Sequence, residues 1–207
     1  MSFDVTNSVS RISACHKRPD RAALLVGTSG IDASGKGYIS RAIADSLESS
    51  ALRVALIEAD DWLELPAARF SGERPAETFY ANALRLDEMF ERLVLPLGRN
   101  ASIRLAADLA TETSDEFHRF EYRFEKIDVV LVEGIFIYKR KFAHLFDLRI
   151  WVECTFEKAL KRAIARSQEG LSPLETVKAY ETIYFPAQRI HFELDEPQSA
   201  ADMIIGN

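Results

Sequence analysis

Eight residues, Gly30-Ile-Asp-Ala-Ser-Gly-Lys-Gly37, constrain this chain more than any other feature. An apolar run, residues 22–27, leads into them, and a stretch with helical patterning follows to about Ser49. A buried strand that passes through a glycine-rich turn into a helix commits the chain to an α/β architecture. The same strand signal recurs at Val54–Ala59, Asp128–Glu133, Leu148–Glu153 and Asp202–Ile205. The run at 128–133 is continuously apolar, as expected of a parallel strand covered on both faces.

Helical spacing separates these runs. Leu86, Met89, Phe90, Leu93 and Val94 recur at that spacing, and Pro96 is expected to stop the helix. Phe156, Leu160, Ala163 and Ile164 mark another. Ser172-Pro-Leu-Glu175 is a capping box with proline at the first helical position. Residues 64–77, with two prolines and a glycine, read as a loop. The predicted fold is a parallel sheet with helices on both faces and a small helical lid at about 155–190. It occupies one domain, 22–207, behind an N-terminal arm or added helix, 1–21.

The chemistry of the glycine-rich turn follows from its residues. Gly30-x-x-x-x-Gly35-Lys36 matches the Walker A pattern, in which backbone N–H groups turn inward around phosphate oxygens. The following helix N-terminus adds partial positive charge, and Lys36 brings a full charge to the β- and γ-phosphates. Gly30, Ile31, Asp32, Ala33, Ser34, Gly35, Lys36, Gly37 and Tyr38 are the candidate nucleotide-binding residues. The expected fold is therefore of the P-loop NTPase type, with ATP and Mg²⁺ as the expected ligands. One element departs from the pattern. The residue after the lysine is usually Ser or Thr, whose hydroxyl binds Mg²⁺, and here it is Gly37. A glycine in a first helical turn also costs about 1 kcal/mol relative to alanine. Ser40, three residues on, is not expected to reach the same point.

Other polar residues cluster at the ends of predicted strands. Asp60 and Asp61 follow the second strand, and Glu133 ends the strand at 128–133. In such sheets the carboxyl ends of the strands line one crevice, where carboxylates can hold Mg²⁺ or accept a proton from a hydroxyl. Asp60 and Glu133 are the candidate metal ligands, and Asp60 and Lys36 candidate catalytic groups. Arg162 and Arg166 are four apart on one helical face, suited to polyphosphate oxygens or to solvent alone. A turn at Gln168-Glu169-Gly170 could hinge a lid. Asp61, Trp62, Phe79, Tyr80 and His118 are candidates for contacting the substrate. Each has a plainer reading: a solvated neighbour for Asp61, a solvated residue on a loop or helix edge within 114–119 for His118, core packing for the aromatics.

Composition narrows the partners. Net charge is −6, which disfavours nucleic acid, and no apolar run reaches the length of a membrane span. The first 20 residues lack an apolar segment, so no signal peptide is expected. Cys15 and Cys154 make neither a disulfide framework nor a metal cluster, which suits a reducing cytoplasm. His16, His118, His144 and His191 are scattered, so no zinc site is expected. The expected partner is a small-molecule substrate, and a homo-oligomer is compatible with these features.

With these pieces in order, the chain resembles the uridine kinase and phosphoribulokinase group of P-loop kinases from about Ala22 to Asn207. The resemblance rests on residues 27–36, on Ala59-Asp-Asp-Trp62, on Val130-Leu-Val-Glu-Gly-Ile135, on Leu160-Lys-Arg-Ala-Ile-Ala-Arg166, on Tyr180 followed by Pro186, and on Ala201-Asp-Met-Ile-Ile205. It implies that Asp60 is the catalytic base, that Glu133 is the acid after the Walker B-like strand, and that Arg162 and Arg166 belong to a catalytic lid helix. It also implies phosphoryl transfer from ATP to a hydroxyl of a small molecule, with a uridine- or cytidine-type nucleoside first among acceptors. Uridine kinases carry a Pro-Asp-Ala-Phe-Asp segment that meets the ribose; the similar stretch here, Pro75-Ala-Glu-Thr-Phe-Tyr80, has no aspartate in that place. Their Tyr-Asp-Phe segment and nearby histidine have no clear counterpart in 107–118. The alternatives are a kinase of another sugar-like alcohol and a nucleotide-binding regulatory protein without turnover. Against the last, the chain has no Asn-Lys-x-Asp, and its Asp-x-x-Gly string, Asp32-Ala-Ser-Gly35, lies within the glycine loop and not after a later strand, where a switch motif would stand.

Overall fold

The computed structural model describes residues 5–15, 17–167 and 170–207. His16 and the Gln168-Glu169 part of the expected hinge lie outside the described residues. Helix α1 (Thr6–Ala14) comes first, followed by β1 (Leu24–Gly30), α2 (Lys36–Ser49), β2 (Val54–Glu58) and a 3-10 turn at Ala59–Asp61. Next come α3 (Pro66–Arg69), α4 (Pro75–Asn82), α5 (Leu86–Met89), a π-helical stretch Phe90–Val94 and α6 (Leu95–Asn100). A hairpin of β3 (Ile103–Leu109) and β4 (His118–Phe124) leads to β5 (Val129–Glu133), α7 (Arg140–Ala143) and β6 (Leu148–Glu153). The last elements are α8 (Phe156–Arg166), α9 (Pro173–Ala179), a second π-helical stretch Tyr180–Tyr184, α10 (Phe185–Asp195) and β7 (Met203–Gly206).

Five strands form one sheet in the order β2-β5-β1-β6-β7, with every neighbouring pair parallel. From β1 the chain passes to the edge strand β2, returns to insert β5 between β2 and β1, and then adds β6 and β7 on the other side of β1. The topological switch therefore lies beside β1, and the loop that follows β1 opens at the sheet edge where such folds bind ligands. Strand side chains alternate between two cores. Leu24, Val26, Val129, Leu131, Ile150 and Val152 pack with Ile39, Ile43 and Leu47 of α2 and with Ile12 of α1. Leu25, Val130, Val132 and Trp151 face a larger core with Trp62, Phe90, Leu93 and Phe136. Both faces are covered, which is why the strand runs are continuously apolar. Among the described residues, no helix is long and apolar enough to cross a membrane.

Three expectations change. The stretch 64–77 is not all loop: Pro66 and Pro75 each open a helix, α3 and α4, where a missing N–H costs nothing. Pro96 does not stop its helix, which runs through it into α6. Proline cannot take an i−4 bond and crowds that carbonyl, and the widened π turn just before it accommodates the ring. The same device precedes Pro186. Residues 103–124 form an antiparallel hairpin, and His118 is its first β4 residue, paired with Leu109, not part of a loop or helix edge. Within the N-terminal arm, Thr6–Ala14 forms a helix, the second of its two readings, with Ile12 in the α2-side core.

Candidate active site

Helix α2 starts at Lys36, and its N-cap, Gly35, has no side chain with which to cap the first turn. The N–H groups there have no intrahelical acceptor and suit an anion. Gly35 makes the turn with φ of 91°, a conformation that side chains rarely adopt.

Lys36 Nζ lies 3.5 Å from Glu133 Oε1, and both side chains are buried. Burial works against the charged amine, but Glu133, Asp60 and Asp32 more than offset it and hold its pKa up at about 12. Asp60 and Glu133 are both pushed above the usual carboxylate range by burial, with Lys36 opposing the shift in each case. Their closeness follows from the sheet: β5 lies between β1 and β2, Glu133 is in register with Thr28 and Glu58, and Asp60 follows β2 by one turn. Glu133 Oε1 is buried and has no hydrogen-bond partner among the described residues.

These donors fit Mg²⁺. No group of three or more His, Cys, Asp or Glu side chains among the described residues could hold a metal alone. Mg²⁺ does not require such a cage, since one or two carboxylates with phosphate oxygens and waters are its usual shell. Leaving aside its chain neighbours and the nearby backbone of α2, the described atoms within 4 Å of where a Gly37 Cβ would stand belong to Glu133, Oε2 nearest at 3.5 Å. The missing hydroxyl would have faced this carboxylate. Ser40 is buried but outside that radius, as expected.

Two cavities meet at Lys36 and Arg166, which line both. The broader one, about 410 Å³, is also lined by Ala33, Gly35, Gly37, Tyr38 and Arg162. The narrower, about 110 Å³, is lined by Asp32, Asp60, Arg69, Phe79, Glu112, Tyr180 and Tyr184, among others. Arg166 approaches Asp32 at 4.0 Å, and Asp32 also accepts a hydrogen bond from the Tyr180 hydroxyl. The helical region after β6 thus reaches the glycine loop at Asp32 from both Arg166 and Tyr180. Lys161 turns away to pair with Glu157 at 2.6 Å.

The substrate candidates divide. Phe79 lines the narrow cavity beside Tyr184, ring centroids 4.9 Å apart. Tyr80 does not: its hydroxyl donates to Asp195 at 2.5 Å and its ring packs on Phe136. Trp62 is fully buried, stacked on Tyr122 with its centroid 6.2 Å away, so it belongs to the core. Asp61 and His118 are not among the lining side chains of either cavity. The Asp61 carboxyl is raised to about 6 by burial and by Glu58 and Asp60, while His118 opposes the shift. Trp62→Ala should destabilise the fold by about 3–5 kcal/mol in urea titration while leaving substrate KM unchanged. A KM effect at unchanged stability would return Trp62 to the pocket wall.

Sequence reasoning missed Arg69 and Glu112. Arg69 is buried and donates to the Glu112 backbone carbonyl at 2.6 Å. Both sit outside periodic segments, and no local pattern marks them.

Comparisons with known proteins bear on the fold. No protein-family profile matches the chain. Over 191 residues it is 29% identical to a uridine kinase of Streptococcus uberis, covering 89% of this chain and 87% of that protein. A solved structure of a possible uridine kinase from Bacillus stearothermophilus superposes with a TM-score of 0.76 at 17% identity, covering 97% and 96% of the two chains. A proposed fructose transport system kinase from Silicibacter sp. TM1040 gives 0.74 at 18% identity, with 99% and 98% covered. The resemblance to uridine kinase-like P-loop kinases is borne out, and the fold is that of the P-loop kinases.

Proposed function

We propose that the chain is an ATP-dependent kinase that transfers the γ-phosphoryl group to a hydroxyl of a small molecule, with a uridine- or cytidine-type nucleoside as the leading acceptor. The observation that carries this reading is the junction of two cavities at Lys36 and Arg166, with Asp60 on the narrow side. A kinase needs a nucleotide site and an acceptor site that share one wall where the phosphoryl group passes.

In this reading the polyphosphate lies on the glycine loop and the broad cavity. Lys36 and Arg166 stand at the crossing point and offset the charge of the transferring group, which accounts for much of such catalysis. Asp60 accepts the proton of the acceptor hydroxyl. The rings of Phe79, Tyr184 and Tyr180 follow one another, with centroid separations of 4.9 and 5.0 Å, and support a flat or ring-shaped acceptor. That sequence relatives are named uridine kinase supports a nucleoside as the leading acceptor.

Asp60 and Glu133 are the residues that would hold Mg²⁺, which when bound offsets charge on the β- and γ-oxygens. With Gly37 supplying no hydroxyl, a water would fill that place on the ion, because Mg²⁺ retains water readily. Gly37→Ser should therefore lower the Mg²⁺ midpoint of ATP binding. The space for a Cβ is ordinary, and exchanging a helical glycine should add about 0.5 kcal/mol of stability. An unchanged midpoint in a folded, ATP-binding variant would refute the water replacement.

The test of the function is an ADP-release screen across nucleosides, sugars, sugar phosphates and pantothenate. Release that depends on an added alcohol is expected. Tight ATP binding with no acceptor-dependent release would make the chain a nucleotide-binding regulator instead.

A further inference from the structure

Arg162 reaches the glycine loop itself. Its Nη1 donates to the Ser34 backbone carbonyl at 2.9 Å, and its Nη2 donates to Asn207 Oδ1 at 2.8 Å. Asn207 Nδ2 donates to the same Ser34 oxygen. The Asn207 backbone N–H is held by the Glu153 carbonyl at 2.9 Å, continuing the pairing of β7 with β6. The three groups close a ring: one carbonyl takes two donors, and those donors are bonded to each other.

The position of that carbonyl matters. In a planar trans peptide, the C=O and the next residue's N–H point in opposite directions. No described peptide bond is cis. Fixing the Ser34 oxygen toward α8 and β7 therefore fixes the Gly35 N–H the other way. Gly35 holds the left-handed turn at φ 91°, and Asn207 Nδ2 stands where any side chain at Gly35 would collide. The tight turn is thus set by residues 128 and 173 positions away in sequence.

We propose that Asn207 and Arg162 are positioning residues that clamp the Ser34–Gly35 peptide, so that the loop presents its N–H groups to phosphate in one fixed arrangement. The clamp rests on the nucleotide reading above. It gives Arg162 a task different from that of Arg166: Arg162 acts through the loop, whereas Arg166 stands at the crossing of the cavities. The guanidinium–carbonyl bond is charge-assisted and among the stronger of its kind.

Calorimetry with ATP, ADP and adenosine tests this on wild type, Asn207→Ala, Asn207→Asp and Arg162→Lys. Asn207→Asp keeps size and the acceptor for Arg162 but loses the donor to Ser34. Each variant should bind ATP and ADP about tenfold more weakly, the scale of one lost hydrogen bond to a fixed group. Affinity for adenosine and KM for the acceptor should not move, because only the phosphate cradle is disturbed. The Asn207→Ala/Arg162→Lys double variant should be little worse than either single one, since the two residues act as a unit. Unchanged ATP affinity in folded variants would overturn the clamp, and so would parallel loss of ATP and adenosine, which marks a general structural role. If Asn207→Ala fails to fold, the isosteric Asn207→Asp decides. Wild type that binds neither ATP nor ADP would defeat the nucleotide reading, a failure visible before any variant is compared.

Discussion

Lys36→Ala should lower phosphoryl transfer by about 1,000-fold, the upper end of what one preorganised charge contributes to a transition state. Lys36 lines both cavities, and no other lysine lines either of them. Its pKa is held at about 12 by Glu133, Asp60 and Asp32, so it is charged at any working pH. Removing it leaves two buried carboxylates without their cation. Breaking a buried pair in this way costs about 3–5 kcal/mol in general. Here Asp60 and Glu133 are already raised by burial and can take up protons, which reduces that cost. Circular dichroism establishes that the variant is folded, and turnover is then compared. Unchanged turnover in folded Lys36→Ala would remove the glycine loop from the nucleotide site.

Asp60→Asn should lower kcat by at least about 100-fold with little change in ATP affinity, as expected when a general base is lost. The pH profile carries a second signature. A base must be ionised to act, and burial pushes the Asp60 carboxyl above the ordinary range. Wild-type kcat/KM should therefore fall as pH drops through that raised pKa, earlier than an exposed aspartate would require. This limb should be absent from the residual activity of Asp60→Asn. A large loss of ATP affinity with kcat intact would instead make Asp60 a residue of the metal site alone.

The residues differ in how legible their places were. The sheet strands could be read because burial on both faces forces continuous apolar runs, as in Val129–Glu133. The β3–β4 hairpin could not, since its strands carry Arg104, Arg119, Glu121 and Arg123 and bury few positions. Pro66 and Pro75 look like breakers locally, yet each opens a short helix. The glycine loop, Asp60 and Glu133 were legible because loop chemistry and strand ends are local signals. Trp62 and Tyr80 were not, because one turn of backbone decides whether an aromatic faces the core or the cleft. The Asn207 contact with Ser34 joins residues 173 positions apart, and no spacing rule reaches that far.

The central claim is transfer to an acceptor, and the most direct measurement follows the γ-phosphate itself. ATP labelled at the γ-position is incubated with the acceptor found by ADP release, with and without Mg²⁺, and the label is traced to products. Label should appear on the acceptor hydroxyl, one for each ADP formed, and Lys36→Ala should transfer it about 1,000-fold more slowly. Label recovered only as inorganic phosphate, at a rate indifferent to the acceptor, would contradict it.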